Sequence, residues 1–277
     1  MAASVRVAYL GPPGTNSEVA ALRAYPAAEH VPCATIVAAV RAVEAAECDL
    51  AVVPIENSLQ GSITDTVDLL IRDEGLAICA EVVLPIEHCL MVRSGAARSG
   101  IEVIYSHPQS LGQCRRYLEE NFPGVRTEAA LSNAEAVAIA MRTPGAAAIG
   151  PARAADIYGA EILERGIEDS RVNKTRFVAL GREGAPPTGR DKTSLAFAVA
   201  HDRPGTLVSV LHEFADRSIN MTKIESRPSG EDLGVYVFLI DIDGHRDDPL
   251  VAQALAAVRE QADFFKVFGS YPAYREP

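Results

Sequence analysis

In the segment RVNKTRFVAL (171–180), an amide, an ammonium, a hydroxyl and a guanidinium stand in a row at the mouth of an apolar, strand-like run. A loop that only connects two elements usually contains Gly or Pro. Arg176 and Lys174 can each hold a carboxylate, the arginine in bidentate fashion. The Thr175 hydroxyl is a poor acid in water. It can still stabilise departing hydroxide, whose conjugate acid, water, has a pKa of about 15.7. The four side chains together suit a reaction that expels hydroxide from a carboxylate-bearing substrate.

Two other clusters offer complementary groups. In PIENSLQGS, Glu56 follows an apolar run, so it projects near the C-terminal end of a strand, beside the amide of Asn57 and the hydroxyl of Ser58. A carboxylate, an amide and a hydroxyl can orient a polar ligand; the plainer reading is a helix cap beside a surface acid. In SHPQSLGQC, Ser106 ends a strand and Pro108 suits a first helical turn. Gln109 and Gln113, four residues apart, share one helix face and can meet carboxylates or hydroxyls. The plainer reading makes Ser106 a cap and leaves both amides in solvent. His107 has no partner nearby in sequence and reads as a structural hydrogen-bonder. GPPGTNSE, around Thr15, is a Gly-rich turn onto a helix whose backbone N–H groups could bind an anion. It matches neither a Walker A loop nor GxGxxG, and no HExxH, CxxC or acidic cluster points to a metal.

These groups need a scaffold. Residues 5–11 read as a strand entering a helix, 35–47 as a helix, and 48–56 as a short strand buried on both faces. Residues 62–72 place Ile63, Val67, Leu70 and Ile71 on one helical face, and 76–92 read as extended chain broken at Pro85. Residues 101–108 form another strand entering a helix. Ser132-x-x-Glu135 is a capping-box pattern, and AAAIGP and RFVAL are further strands. Strands alternating with helices indicate a mostly parallel α/β sheet, in which ligands bind beyond the carboxyl ends of the strands. Residues 183–192 lie in a charged, Gly/Pro-rich stretch that reads as a linker. The order after it, βαββαβ, predicts a small ferredoxin-like sandwich.

A chain of 277 residues with 48% hydrophobic content suggests about two domains. Its net charge of -11 and lack of a basic block argue against nucleic-acid binding. The odd number of cysteines, five, without CxxC spacing fits reduced thiols and a cytoplasmic location. No apolar run approaches the ~18 residues of a membrane span, and the N-terminus reaches a polar turn too soon for a signal peptide.

Taken together, GPPGTNSE, VVPIENS, SHPQSLGQC and NKTRF, in that order, resemble the prephenate dehydratases. GTLVSVLHEFADRSINMTKIESRP and YVFLIDIDGH resemble the ACT regulatory domain that follows in that family. The resemblance implies a two-lobed catalytic domain over 1–182, similar to type 2 periplasmic binding proteins. Lobe 1 would comprise about 1–86 and 171–182, lobe 2 about 87–170, with the linker 183–192 and an ACT domain over 193–277 behind them. It also implies that prephenate loses CO2 and its ring hydroxyl to give phenylpyruvate, without a cofactor. Thr175 would then serve the departing hydroxyl, with Glu56 as the rival acid. An ordinary Glu, near 4.3, is ionised at pH 7, so that role requires a pKa raised by burial. Arg176 would neutralise a substrate carboxylate or hold the loop, and Phe177 would pack behind Thr175. Thr15, Asn57, Ser58, Ser106, Gln109 and Gln113 would line the cleft. L-phenylalanine, the effector, would sit at an interface in a homodimer or homotetramer, against Gly205, Leu207, Val208, Asn220, Glu225 and Ser226. Two positions depart from the family pattern: Asn16 stands where Phe is usual, and Thr206 where Ala is usual. An arogenate dehydratase and a two-lobed ligand sensor are the rival readings.

Overall fold

The computed structural model describes residues 4–72, 75–199, 204–229 and 236–275. It forms two compact units, Met1–Thr66 with Val82–Phe177, and Val67–Glu81 with Val178–Pro277. The fold is mixed α/β, built on three sheets.

The first sheet starts with β1 (Arg6–Leu10), β2 (Glu29–Cys33) and β3 (Leu50–Asn57), with β1 parallel to both neighbours. A two-residue strand, β4 (Gly61–Ser62), folds back antiparallel on the end of β3. With β5 (Ala77–Pro85) and β11 (Lys174–Gly181) the order is β2-β1-β3-β11-β5. Helices α1 (Asn16–Ala24), α2 (Ile36–Glu44) and α3 (Thr64–Arg72) alternate with these strands. Thr15 and Thr35 cap α1 and α2 by accepting Glu18 N and Ala38 N, each satisfying an N–H that the helix cannot.

The second sheet has the order β10-β6-β9-β7-β8. Its strands are β6 (Cys89–Arg93), β7 (Val103–Ser106), β8 (Arg126–Ala129), β9 (Ala146–Gly150) and β10 (Ala160–Arg165). The sheet is mixed: β7 runs parallel to β8 and β9, whereas β6 pairs antiparallel with β9 and β10. Around it lie α4 (Pro108–Gln113), α5 (Arg115–Asn121), α6 (Asn133–Ala140) and α7 (Ala152–Tyr158). β9, AAAIG, is buried throughout, and its small side chains pack with Ala136, Val137 and Ala140 of α6. Edge strands β2, β8 and β10 escape a periodicity reading because they are short, partly exposed and polar; β2 even contains Pro32, which edge strands tolerate. The break predicted at Pro85 falls just after it, at residues 86–88, between β5 and β6.

The second unit runs β12 (Asp191–Ala198), α8 (Thr206–Ala215), β13 (Met221–Pro228), β14 (Tyr236–Asp243), α9 (Pro249–Gln261) and β15 (Phe264–Pro272). The antiparallel order β13-β14-β12-β15 is the ferredoxin-like arrangement. Leu195, Phe197, Val210, Phe214, Ile240 and Val258 form its core. Gly234, Val235 and Ala200, read as strand in the sequence, lie outside the described residues. β12 starts inside the linker-like stretch, where the buried Asp191 carboxylate accepts Thr188 N and Gly189 N. Residues 67–81 join this unit closely. Glu81, its side chain 1% exposed, receives Lys192 Nζ at 2.9 Å, and Asp68 pairs with Arg227 at 2.5 Å. A Cβ at Gly269 would lie 2.2 Å from the Ile78 carbonyl oxygen, so β15 can pass there only as glycine.

Candidate active site

Along β11, side chains alternate between the two faces of the sheet. Thr175 and Phe177, both buried, face a cavity of about 190 Å³ within the first unit, whereas Arg176 does not line it. Also around the cavity are Asn57 from the end of β3, Gln109 and Gln113 from α4, and Asn16 and Ser17 from the first turn of α1. His88, His107, Ser110, Asn133 and Asn173 complete its polar lining among the described residues; Pro54, Ile63 and Ile86 supply apolar wall. No Lys, Arg, Asp or Glu is among the described residues that line it.

Five of these side chains, Asn57, Thr175, Asn173, Gln113 and His88, form one chain of hydrogen bonds, and a backbone group sets its direction. Leu59 N donates to Asn57 Oδ1 at 3.0 Å, so the Asn57 amide nitrogen must face the other way. Asn57 Nδ2 donates to Asn173 Oδ1 at 2.8 Å and to Thr175 Oγ1 at 2.9 Å. Asn173 Nδ2 then donates to Gln113 Oε1 at 3.1 Å, which also receives His88 Nε2 at 2.8 Å. His88 therefore carries its proton on Nε2. Thr175 accepts from Asn57, and its own hydroxyl proton remains for a ligand. Two buried atoms of this chain have no partner among the described residues: His88 Nδ1 and Gln113 Nε2.

Other predicted residues hold this arrangement from behind. Ser58 accepts Lys174 N at 2.9 Å and donates to Val172 O at 3.0 Å, while its N–H reaches Lys174 O at 2.8 Å. It clamps the chain entering β11. Ser106, fully buried, donates to Ile149 O and to Asn133 Oδ1, and does not line the cavity. Asn133 Oδ1 also accepts His107 N, and its Nδ2 donates to Ser110 Oγ. The cap of α4 is not Ser106 but His107, whose Nδ1 accepts Gln109 N at 3.3 Å. Burial lowers the His107 pKa. Ser132 accepts Glu135 N as the capping pattern predicts, though Glu135 reaches back to Leu131 N.

Glu56 and Arg176 lie away from the cavity and pair with each other at 3.4 Å. The glycine turn does not offer free amides to an anion either. Gly14 N donates to Glu18 Oε2 at 2.6 Å, and Gly11 N to Cys33 O at 2.8 Å. Glu18 is held in turn by Arg153, and Tyr158 donates to Pro13 O. Burial alone would raise the Glu18 pKa, but Arg153 and the Gly14 N–H outweigh it and leave the carboxyl below its ordinary value. Thr15 is spent on capping and on Leu10 O, so only the first turn of α1 brings its backbone to the cavity. His88 and Asn133 carried no motif in the sequence; only the fold brings them here.

In the second unit Gly205 caps α8 with φ +89, Leu207 packs on the core, and Val208 is 55% exposed. Asn220 Nδ2 donates to Asp243 Oδ2, and Glu225 pairs with Lys223 at 3.2 Å. Ser226 is exposed and, by strand alternation, faces opposite to Glu225.

Among the described residues no helix is long and apolar enough to cross a membrane, and no group of three or more His, Cys, Asp or Glu is placed to hold a metal. Family models for prephenate dehydratase and for the ACT domain match residues 7–185 and 193–260. The bifunctional chorismate mutase/prephenate dehydratase of Aquifex aeolicus is 40% identical over 97% of this chain and 74% of its own length. An arogenate dehydratase/prephenate dehydratase 6 of Arabidopsis thaliana is 42% identical over 99% of this chain and 70% of its own. The crystal structure of an Arthrobacter aurescens prephenate dehydratase in complex with L-Phe superposes with a TM-score of 0.89 at 35% identity, covering 97% of this chain and 90% of that one. The cavity around Thr175 lies within the first of these matches and the βαββαβ sandwich spans the second: the chain belongs to the prephenate dehydratase family, with a two-lobed periplasmic-binding-protein-like catalytic domain followed by an ACT domain.

Proposed function

We propose that this protein converts prephenate to phenylpyruvate, the dehydratase step of phenylalanine synthesis, with Thr175 serving the departing hydroxyl. The observation that carries the role of Thr175 is the 2.9 Å bond in which Asn57 Nδ2 donates to its Oγ1. A threonine hydroxyl that already accepts turns its proton outward, toward a ligand. In the reaction the ring carbon–carboxylate bond breaks and its electron pair enters the ring. The ring C–O bond breaks with its pair going to oxygen, which takes a hydrogen bond or proton from Thr175. The leaving carboxylate must not be over-stabilised, because only interactions stronger in the transition state accelerate the step. A lining of neutral amides and hydroxyls meets that condition. The side-chain carboxylate can be met by the free N–H groups in the first turn of α1. Gln109, Gln113 and Phe177 shape the substrate site, while Ser58, Ser106, Thr15 and the Glu56–Arg176 pair hold it.

The catalytic domain is taken to span 1–182, with lobes of about 1–86 plus 171–182 and 87–170, and the ACT domain 193–277 behind a linker. L-phenylalanine, bound at Gly205, Leu207, Val208, Asn220, Glu225 and Ser226, would favour a low-activity state. Exposed Val208, Ile224 and Tyr236 on the second unit support assembly as a homodimer or homotetramer. The five unpaired cysteines support a cytoplasmic location.

A second reading rests on the Arabidopsis relative, whose name pairs arogenate dehydratase with prephenate dehydratase. Arogenate bears an amino group in place of the side-chain keto group. Purified protein assayed with each substrate, with and without L-phenylalanine, decides between them. Phenylpyruvate from prephenate, suppressed by L-phenylalanine, is the expected result; phenylalanine from arogenate alone would change the substrate, and no product from either would overturn the enzyme reading.

A further inference from the structure

The substrate of the proposed reaction carries two negative charges, and no Lys or Arg is among the described residues that line the cavity taking it. Among the described residues that line it, His88 and His107 carry the imidazoles. The two differ in what their ring nitrogens already do. His107 caps the N-terminus of α4, where the helix dipole disfavours a cation, and its Nδ1 is engaged in accepting Gln109 N. His88 is bonded through Nε2 to the side chain of Gln113, the last residue of the same helix. Its Nδ1 is buried and has no partner among the described residues. His88 can therefore gain a proton without breaking a hydrogen bond, and His107 cannot.

The charged surroundings of His88 agree. Glu168 Oε2 accepts His88 N at 2.8 Å, and Glu87 is its chain neighbour, paired with Arg165 at 3.5 Å. Asp169 N donates to Gln113 O at 2.7 Å, and its carboxylate accepts Arg116 N. Gln113 and Asn173 are neutral, and the nearby Cys89 and Cys114 thiols are held protonated by burial. Of these three carboxylates, Glu87 meets the Arg165 guanidinium, whereas Glu168 and Asp169 accept backbone N–H groups.

We propose that His88 takes up one proton as prephenate binds, so that an imidazolium balances the side-chain carboxylate, the one that stays in the product. The inference rests on the dehydratase reading, and it makes His88 a substrate-binding group that the sequence did not point to. The sign is fixed: binding prefers the protonated ring, so affinity is greatest at low pH and falls as pH rises through the histidine range.

The test has two arms. In the first, prephenate is titrated calorimetrically into Thr175→Val protein near pH 7.5, in buffers of different ionisation enthalpy. Thr175→Val is used so that binding is read whether or not product forms, which keeps this test separate from the activity assay. The expected result is a net uptake approaching one proton, abolished in the double variant with His88→Gln. Zero uptake by the Thr175→Val protein would overturn the proposal whether or not the double variant folds. In the second arm, KM for prephenate is followed from pH 6 to 9. The wild type should show KM rising up to tenfold per pH unit with kcat changing less; His88→Gln should show a raised, pH-independent KM. A variant with the wild-type slope would overturn the assignment to His88.

Discussion

Replacing Asn57 by aspartate changes one atom of the chain that orients Thr175, so its effect can be worked out bond by bond. The carboxylate of Asn57→Asp would still accept Leu59 N through one oxygen, as Asn57 does at 3.0 Å. Its other oxygen would stand where Nδ2 now donates to Thr175 and Asn173, and an ionised carboxylate only accepts. Thr175 would turn its proton inward to that oxygen, and the departing hydroxide would lose its donor. Removing one preorganised donor from a developing negative charge costs about 10²–10³ in kcat, or about 2.7–4 kcal/mol. Facing Asn173 Oδ1 with a buried carboxylate costs roughly 1–3 kcal/mol of stability more. Steady-state phenylpyruvate release should show kcat down about 10²–10³-fold with KM within a few-fold of wild type. A variant that folds, melts near the wild-type temperature and keeps more than a tenth of kcat would refute the reasoning about the direction of the chain.

Further outcomes follow from other contacts. Lys192→Met removes the ammonium that meets the buried Glu81 carboxylate at 2.9 Å, and stability should fall by about 3 kcal/mol in denaturant unfolding. Gly269→Ala should destabilise the second unit more than Gly124→Ala alters the first, because nothing lies within 4 Å of a Cβ at Gly124; domain-resolved hydrogen exchange reads both. Glu18, whose pKa is lowered in the folded protein, stabilises above the ordinary carboxyl value, and that contribution is lost as pH falls. Melting temperature should therefore drop less between pH 5 and pH 3 in Glu18→Gln than in wild type. Cys89, its thiol pushed up to about 11 by burial, and buried Cys114 should resist alkylation until the chain unfolds, as mass mapping of labelled peptides would show.

Much of this scaffold was written in periodicity and punctuation. Alternating strand and helix runs, the Ser132 cap, and the βαββαβ order could all be read because each is a local pattern with a local cause. The edge strands β2, β8 and β10 could not, since their pairing depends on a neighbour rather than on their own side chains. Within the site, Asn57, Thr175, Gln109 and Gln113 were legible as polar groups at strand and helix ends. The same alternation that faces Thr175 and Phe177 to the cavity turns Arg176 away, a consequence already contained in the TRF triplet. His88 and Asn133 were not legible. One follows a strand and one opens a helix, and only tertiary packing makes them neighbours of Gln113 and Ser106.

The claim at the centre of the account is that the Thr175 hydroxyl, not a carboxylate, serves the departing oxygen. Turnover of prephenate by Thr175→Val and Thr175→Ser, measured as phenylpyruvate released, tests it most directly. Valine keeps the shape and removes the hydroxyl, so kcat should fall by at least about 10²; serine keeps the hydroxyl and should retain most of it. A valine variant with near wild-type kcat, or a Glu56→Gln variant that loses turnover while Thr175→Val keeps it, would contradict the account.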